Sequence, residues 1–277
     1  MSSSEITLEA WLQKARQATS ILNPNAPELI AARVLMLNRT EIRLRSKEIN
    51  LTQKNILKLN NLLGRLLAGR PLSSVLHHTD FHNISLKING KVLSPRAETE
   101  DLIEYAIKNI PRNSKVFDIG TGSGAIGLSI AKARPDLSIT VTDLTRKTLN
   151  LAKLNARKNK INEVGFVKSS LFKNIDQVYL EGSYVLANLP YVDPDWPGIK
   201  HKNLKHEPHS TLFAADSGLQ IIKNLINQAV AKNLLTESNW ILLEHDPKQF
   251  TALTDFCSKL KLDTRSISPF ISLVKLK

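Results

Sequence analysis

Val116-Phe117-Asp118-Ile119 runs directly into Gly120-Thr121-Gly122-Ser123-Gly124, and an apolar helical pattern begins at Ala125. A buried strand, a glycine loop and a helix in immediate succession leave few folds open to a chain. Glycines let the backbone turn tightly and come close to a ligand, whose polar groups meet free N–H donors at the helix start. Asp143 closes the next predicted strand, 19 residues beyond Gly124. A carboxylate there can accept both hydroxyls of a ribose. Two ligand classes remain open. Gly122-x-Gly124-x-x-Gly127 also satisfies dinucleotide spacing, so NAD competes. Asp118, two residues before the first glycine, instead suits a loop wrapped around the amino-acid part of S-adenosylmethionine. No downstream residue offers a hydride-transfer acid or base with an evident partner.

Around this loop the hydrophobic pattern alternates. Lys115–Gly120, Ser138–Asp143, Val164–Lys168, Ser183–Asn188 and Trp240–His245 read as strands. Glu98–Asn109, Ala125–Ala133, Arg146–Asn159, Leu219–Leu235 and Lys248–Leu260 read as helices. This predicts an α/β fold: an open, twisted, Rossmann-like sheet of about seven mostly parallel strands with helices on both faces. Ile267 to Lys277 adds one or two strands, with a turn at Pro269. Residues 1–74 carry helical periodicity in three runs and show no chemistry, so recognition or support is their expected task. Between them, Phe81, Ile84, Leu86, Ile88 and Val92 predict a β-hairpin within residues 75–95, turning at Asn89-Gly90. The α/β domain then occupies residues 96–277.

The single cysteine, Cys257, excludes an internal disulfide and suits a reducing cytoplasm. No apolar run reaches the ~18 residues of a membrane helix, and the N-terminus lacks a secretory pattern. The net charge is +13; residues 1–80 hold 11 Lys/Arg against 6 Asp/Glu, so the excess is spread along the chain. A phosphate-rich partner such as RNA or the ribosome is one reading, a solvated basic surface the other. His201, His206 and His209 crowd a basic loop without acidic or thiol companions at ligand spacing, so no metal is expected. Trp11 and Trp240 read as core, and Trp196 as a loop anchor over the site.

Ala187-Asn188-Leu189-Pro190-Tyr191 follows the apolar run Tyr184-Val185-Leu186. A side-chain amide, two backbone carbonyls and an aromatic face therefore converge at a strand's end. Such a set suits an NH2 group on a planar conjugated system, with two carbonyl oxygens accepting its hydrogens and a ring stacking on its plane. Together with the glycine loop, it points to methyl transfer onto an amide or exocyclic nitrogen.

With both motifs, the chain resembles class I S-adenosylmethionine-dependent methyltransferases, and specifically the HemK/PrmC family of release-factor glutamine methyltransferases. Ser94-Pro95-Arg96-Ala97-Glu98-Thr99-Glu100 is similar to that family's Pro-Arg-Pro-x-Thr-Glu signature. Pro71-Leu72 with Asp80-Phe81 and Leu86 resembles its hairpin region. Glu207-Pro208-x-x-Thr211-Leu212, Asp216-Ser217-Gly218-Leu219, and Leu243-Glu244-His245 with Gln249 resemble later segments. The resemblance spans nearly the whole chain. It implies methylation of the glutamine side-chain amide in the Gly-Gly-Gln motif of peptide-chain release factors; a cytoplasmic monomer is expected. It further implies that Gly120, Thr121, Gly122, Ser123 and Gly124 hold the methionine part of the cofactor, Asp143 its ribose and Leu171 its adenine. Asn188, Leu189, Pro190 and Tyr191 would grip the substrate amide, Asn188 also touching the cofactor, with Phe81 of the hairpin on the substrate side.

Three positions depart from the family pattern. Leu189 stands where it has proline in Asn-Pro-Pro-Tyr. The backbone carbonyl survives that change, and the lost rigidity costs about 0.4–1 kcal/mol. Ser169-Ser170-Leu171-Phe172 lacks an acidic residue before the adenine contact, where the Ser170 hydroxyl can substitute. Ala97 replaces a proline. Asn-Leu-Pro-Tyr is also the form found in rRNA adenine dimethylases, so N6-adenine methylation of RNA or DNA is an alternative. A non-catalytic ribosome- or RNA-associated protein on a methyltransferase fold is another.

Overall fold

The computed structural model describes residues 6–20, 23–90, 92–197 and 209–277. By internal packing the chain divides into two compact units, residues 1–78 and 79–277.

In the first unit the described residues form helices α1 (Leu8–Thr19), α2 (Ala26–Leu35), α3 (Arg39–Arg45), α4 (Gln53–Leu67) and α5 (Leu72–Leu76). Their starts are set by side-chain caps: Thr7 Oγ1 accepts from Ala10 N, Asn38 and Glu41 form a reciprocal box, and Thr52 accepts from Asn55 N. Leu8, Leu12, Ile30, Ile42 and Leu59 fill the core between them. Trp11 is buried as expected, and its indole donates to Asn60 Oδ1 at 2.9 Å. Glu28, nearly buried on α2, is bridged by Arg16, Arg39 and Arg43 at 3.1, 2.7 and 2.9 Å. One carboxylate thus ties α1, α2 and α3 together.

Next in the chain comes a hairpin of β1 (His78–Phe81) and β2 (Ile84–Lys87). Its turn lies at His82-Asn83, not at the expected Asn89-Gly90. Both residues take left-handed backbone, φ 41° and 63°, as a two-residue hairpin loop demands. The other edge of β2 is already occupied. Asn155 Oδ1 accepts from Lys87 N and its Nδ2 donates to Lys87 O. Asn159 does the same for Ser85. Two asparagines one helical turn apart thereby replace a neighbouring strand, and no strand from Val92 onward can pair there.

Then come α6 (Glu98–Asn109), β3 (Lys115–Ile119), α7 (Ala125–Ala133), β4 (Ser138–Asp143), α8 (Arg146–Lys158), β5 (Val164–Lys168), α9 (Gln177–Leu180) and β6 (Tyr184–Ala187). They are followed by α10 (Gln220–Ala231), β7 (Ile241–Glu244), α11 (Phe250–Lys259), β8 (Leu262–Ser268) and β9 (Ile271–Leu276). The seven-stranded sheet runs β5-β4-β3-β6-β7-β9-β8. β3 to β7 are parallel; β9 is antiparallel to both β7 and β8. This is the expected class I methyltransferase fold. β8 starts earlier than the sequence suggested, at Leu262, and the hairpin turns at Pro269-Phe270 as expected.

Strand residues alternate between two cores because both sheet faces are covered. Val116, Val141, Leu186 and Leu242 pack with α6 and α7 residues such as Leu102 and Leu128. Phe117, Ile119, Val185 and Leu243 pack with α10 and α11 residues such as Leu225, Leu253 and Cys257. Trp240 is buried edge-on to Tyr184, ring centroids 4.9 Å apart. Among the described residues no helix is long and apolar enough to cross a membrane.

Candidate active site

Register assembles the site. Thr142 pairs with Ile119, Ile119 with Ala187, and Ala187 with Leu243. The next residues, Asp143, Gly120, Asn188 and Glu244, therefore emerge side by side along the carboxyl edge of the sheet. Strand order reverses there, between β3 and β6, and such a switch point opens a crevice. The crevice is a cavity of about 440 Å³ lined by the loops after β3, β4, β5 and β6.

The glycine loop is rigidly held. Gly120 N and Thr121 N both donate to Thr142 O, at 3.0 and 2.8 Å. Gly120 sits at φ +77°, and a β-carbon there would lie 2.7 Å from Leu189 Cδ2. The leucine that departs from the family pattern is thus packed against the glycine loop, 6% exposed. Asp118 braces the same loop from beneath. Its Oδ2 accepts from Thr121 Oγ1 at 2.6 Å and from Gly127 N at 2.9 Å, while Oδ1 is buried without a partner. Burial pushes this carboxyl up to about 6. Asp143 accepts from Gly122 N and Thr145 N, both at 3.2 Å, and still lines the cavity. Its carboxyl is also raised by burial.

The Asn188–Tyr191 segment is fixed by residues far away in sequence. Asn188 Nδ2 donates to Thr99 Oγ1 at 3.1 Å, and Thr99 Oγ1 donates to Glu244 Oε2 at 2.7 Å. Tyr191 Oη donates to Glu244 Oε1 at 3.1 Å. Glu244 is fully buried at the end of β7, and Thr99 nearly so in the first turn of α6. Burial raises the Glu244 carboxyl, against the lowering effect of those two hydrogen bonds. The Tyr191 phenol is raised by burial and by the Glu244 charge beside it. Gln249 Nε2 meets the Tyr191 and Ser217 carbonyls, each at 2.7 Å, and its Oε1 accepts from Asp246 N.

Gly120, Thr121, Gly122, Ser123, Asp143, Leu171, Asn188, Leu189 and Pro190 all line the one cavity, together with Ser170. Gly124 begins α7 just behind it. The Tyr191 hydroxyl is engaged by Glu244, and the residue is not among those lining the cavity. Phe81 is not brought to the cavity. Its ring faces inward from β1 and is buried with Ile84 and Leu86. His209 stacks on Phe213 with ring centroids 4.3 Å apart, and the Lys248 ammonium lies over the Trp196 ring. His201, His206 and Glu207 lie outside the described residues. Sequence reasoning gave no role to Thr99, Glu244 or Gln249, although all three fell within resembling segments. The available signal was a carboxylate ending the apolar run Ile241-Leu242-Leu243, where a solvent-free strand closes on a ligand crevice.

A glycine cradle under a carboxylate at a ribose-binding position suits the polar ends of S-adenosylmethionine, and the apolar Leu171 with the Ser170 hydroxyl suits its adenine. Fold and site together define a class I S-adenosylmethionine-dependent methyltransferase. Residues 99–196 match the methyltransferase small domain. A release factor glutamine methyltransferase of Coxiella burnetii is 35% identical over 221 residues, covering 79% of this chain and 77% of the relative. The enzyme of that name in Escherichia coli is 31% identical over 247 residues, covering 88% and 87%. The catalytic domain of hMettl16, solved with an MAT2A 3′UTR hairpin, superposes with a TM-score of 0.56 at 17% identity, over 76% of this chain and 80% of that one. That likeness is one of fold. The chain belongs to the release factor glutamine methyltransferase family.

Proposed function

We propose that this protein methylates the side-chain amide nitrogen of the glutamine in the Gly-Gly-Gln motif of peptide-chain release factors. The observation that carries the reading is the placement of Asn188, Leu189 and Pro190 on the wall of the cavity that the glycine loop and Asp143 also line. When bound, S-adenosylmethionine supplies an electrophilic methyl carbon whose leaving group is a neutral thioether.

The chain's own residues supply alignment. An amide nitrogen is a weak nucleophile because its lone pair is delocalised into the carbonyl. Asn188 Oδ1 and the Leu189 carbonyl accept the two N–H bonds of the substrate amide, leaving the lone pair directed at the methyl carbon. With the cofactor held by Gly120 to Gly124, Asp143 and Leu171, the amide nitrogen would take the methyl group and the thioether would leave. The alkylated nitrogen is strongly acidic and loses its proton to water, so a dedicated base is unnecessary. Proximity and in-line geometry account for the acceleration. Leu189 keeps the acceptor carbonyl that the reaction needs, and Pro190 holds Leu189 extended.

Glycine-loop residues Gly120 to Gly124 hold the methionine part of the cofactor, Asp143 the ribose and Leu171 the adenine. The N-terminal helical unit recognises the release factor beyond its Gly-Gly-Gln loop. The free, buried Cys257 suits the cytoplasm where translation ends, and a monomer is the expected acting form.

Labelled S-adenosylmethionine incubated with purified release factor tests the reading. Label is expected on the Gly-Gly-Gln glutamine and absent after Gln→Ala in that motif. Label on adenine of RNA or DNA, with the release factor inert, would instead make the protein an N6-adenine methyltransferase.

A further inference from the structure

A side-chain amide presents an acceptor on one side and a donor on the other, so Asn188 serves the reaction in only one of its two orientations. What sets that orientation lies in Thr99, which lines the same cavity, and in Glu244 buried behind it. A carboxylate accepts and does not donate. Ionised Glu244 therefore takes the hydroxyl protons of both its neighbours, Thr99 at 2.7 Å and Tyr191 at 3.1 Å. With its proton committed, Thr99 Oγ1 offers only lone pairs to Asn188, 3.1 Å away. The NH2 half of the amide must face it. Were the amide turned over, Oδ1 would meet an oxygen with no proton to give, inside a site where Thr99 is 2% and Glu244 0% exposed. Unmet polar atoms are costly at such burial. Oδ1 is left directed away from Thr99, and no donor among the described residues meets it.

We propose that Thr99 and Glu244 are positioning residues, forming a polarity relay that locks the Asn188 amide with Oδ1 presented to the substrate. The inference rests on the reading of Asn188 as an acceptor for a substrate NH2 group. The relay joins three elements: Glu244 ends β7, Thr99 lies in the first turn of α6, and Asn188 follows β6. Tyr191 closes the arrangement, since the same carboxylate holds both polar side chains of the one substrate-gripping loop. Threonine is suited to the middle place because its hydroxyl donates once while still accepting. Valine has the same shape without either capacity.

Two readouts test this on the full-length protein. The first needs no substrate. In protein labelled with ¹⁵N-asparagine, the side-chain NH2 signals of Asn188 are assigned by their loss in Asn188→Ala. Thr99→Val is expected to shift those signals and to speed their hydrogen exchange by about tenfold, as expected when one hydrogen bond is lost, while Thr99→Ser restores the wild-type pattern. The second is kinetic. With release factor as substrate, Thr99→Val should lower kcat by about 10- to 100-fold, with the cofactor Kd within about twofold of wild type. Thr99→Ser should recover most of the turnover. Asn188 signals indifferent to Thr99→Val, or an active Thr99→Val enzyme with undiminished kcat, would overturn the relay. If the wild-type protein leaves release factor unmethylated while the Asn188 signals respond as expected, the proposed substrate falls and the relay stands.

Discussion

Gly218 lies so close to Tyr191 that a β-carbon at position 218 would come within 2.0 Å of the Tyr191 carbonyl oxygen. The same carbonyl accepts from Gln249, and Gly218 itself sits at φ +83°. The backbone just beyond Asn188 is thus shaped by a contact that only glycine permits.

Gly218→Ala introduces both a left-handed alanine and a backbone clash. The two effects together should cost about 2–5 kcal/mol. If the loop yields rather than the fold, methyl transfer falls sharply at nearly normal stability. Thermal unfolding and transfer rate measured on one preparation separate these outcomes. A variant matching wild type in both would contradict the contact.

Acid should disable the site through Glu244. Burial lifts its folded pKa above the ordinary 4.5, with Glu98 raising it further and Arg96, Thr99 and Tyr191 opposing. Once protonated, one carboxyl oxygen becomes a donor, and either Thr99 or Tyr191 must reverse its hydrogen bond. Turnover is therefore expected to rise with pH through the Glu244 pKa. Stability runs the other way. The folded state holds this proton more tightly than the unfolded chain, so the contribution of Glu244 is fully present below about 4.5 and fades as pH climbs through the folded value. A kcat profile in wild type and Glu244→Gln checks this; the acid limb assigned to Glu244 should vanish in the variant.

Asp118 makes a parallel prediction for stability alone. Its carboxyl is pushed from 3.8 to about 6 by burial, with the charge of Asp143 adding to the effect. Stability should decline as pH rises from about 4 to about 6, by about 3 kcal/mol at most. Asp118→Asn keeps an acceptor for Thr121 and Gly127 without the buried charge. Its denaturation midpoint should be flatter across that interval than that of wild type.

Asn155 is the point where the hairpin meets the glycine loop. Beyond its two bonds to Lys87, its Nδ2 donates to Ser123 O at 2.8 Å. Asn155→Ala strips all three, and about 1–3 kcal/mol of stability is expected to go with them. Faster hydrogen exchange at the Lys87 amide and weaker cofactor binding should appear together. Exchange at Lys87 without any change in cofactor affinity would show that the hairpin does not support the loop.

The sheet and its helices were legible because each strand is a short apolar run and each helix repeats its apolar face. β4, β5, α6 and α7 fall on their expected residues. The glycine loop and Asp143 were legible for a related reason: they lie within one strand–helix–strand stretch. The hairpin turn was not. Asn89-Gly90 and His82-Asn83 are both chemically able to turn, and the choice was made by Asn155 and Asn159, some 70 residues away in the chain. The network behind Asn188 was hidden likewise. Thr99 is 145 residues from Glu244, and only the packing of α6 against β7 brings them together. Phe81 shows the converse. An aromatic in a resembling segment invited a substrate role, but its place on the inward face of β1 makes it core.

The most direct test of the amide-gripping site is Asn188→Ala, assayed for methyl transfer to release factor alongside calorimetric titration with S-adenosylmethionine. Removing the acceptor should abolish most transfer, by about 100-fold or more, as expected for a group acting in the transition state. Cofactor affinity should change only a few-fold. Full transfer by this variant would contradict the assignment of Asn188 as the residue that holds the reacting amide.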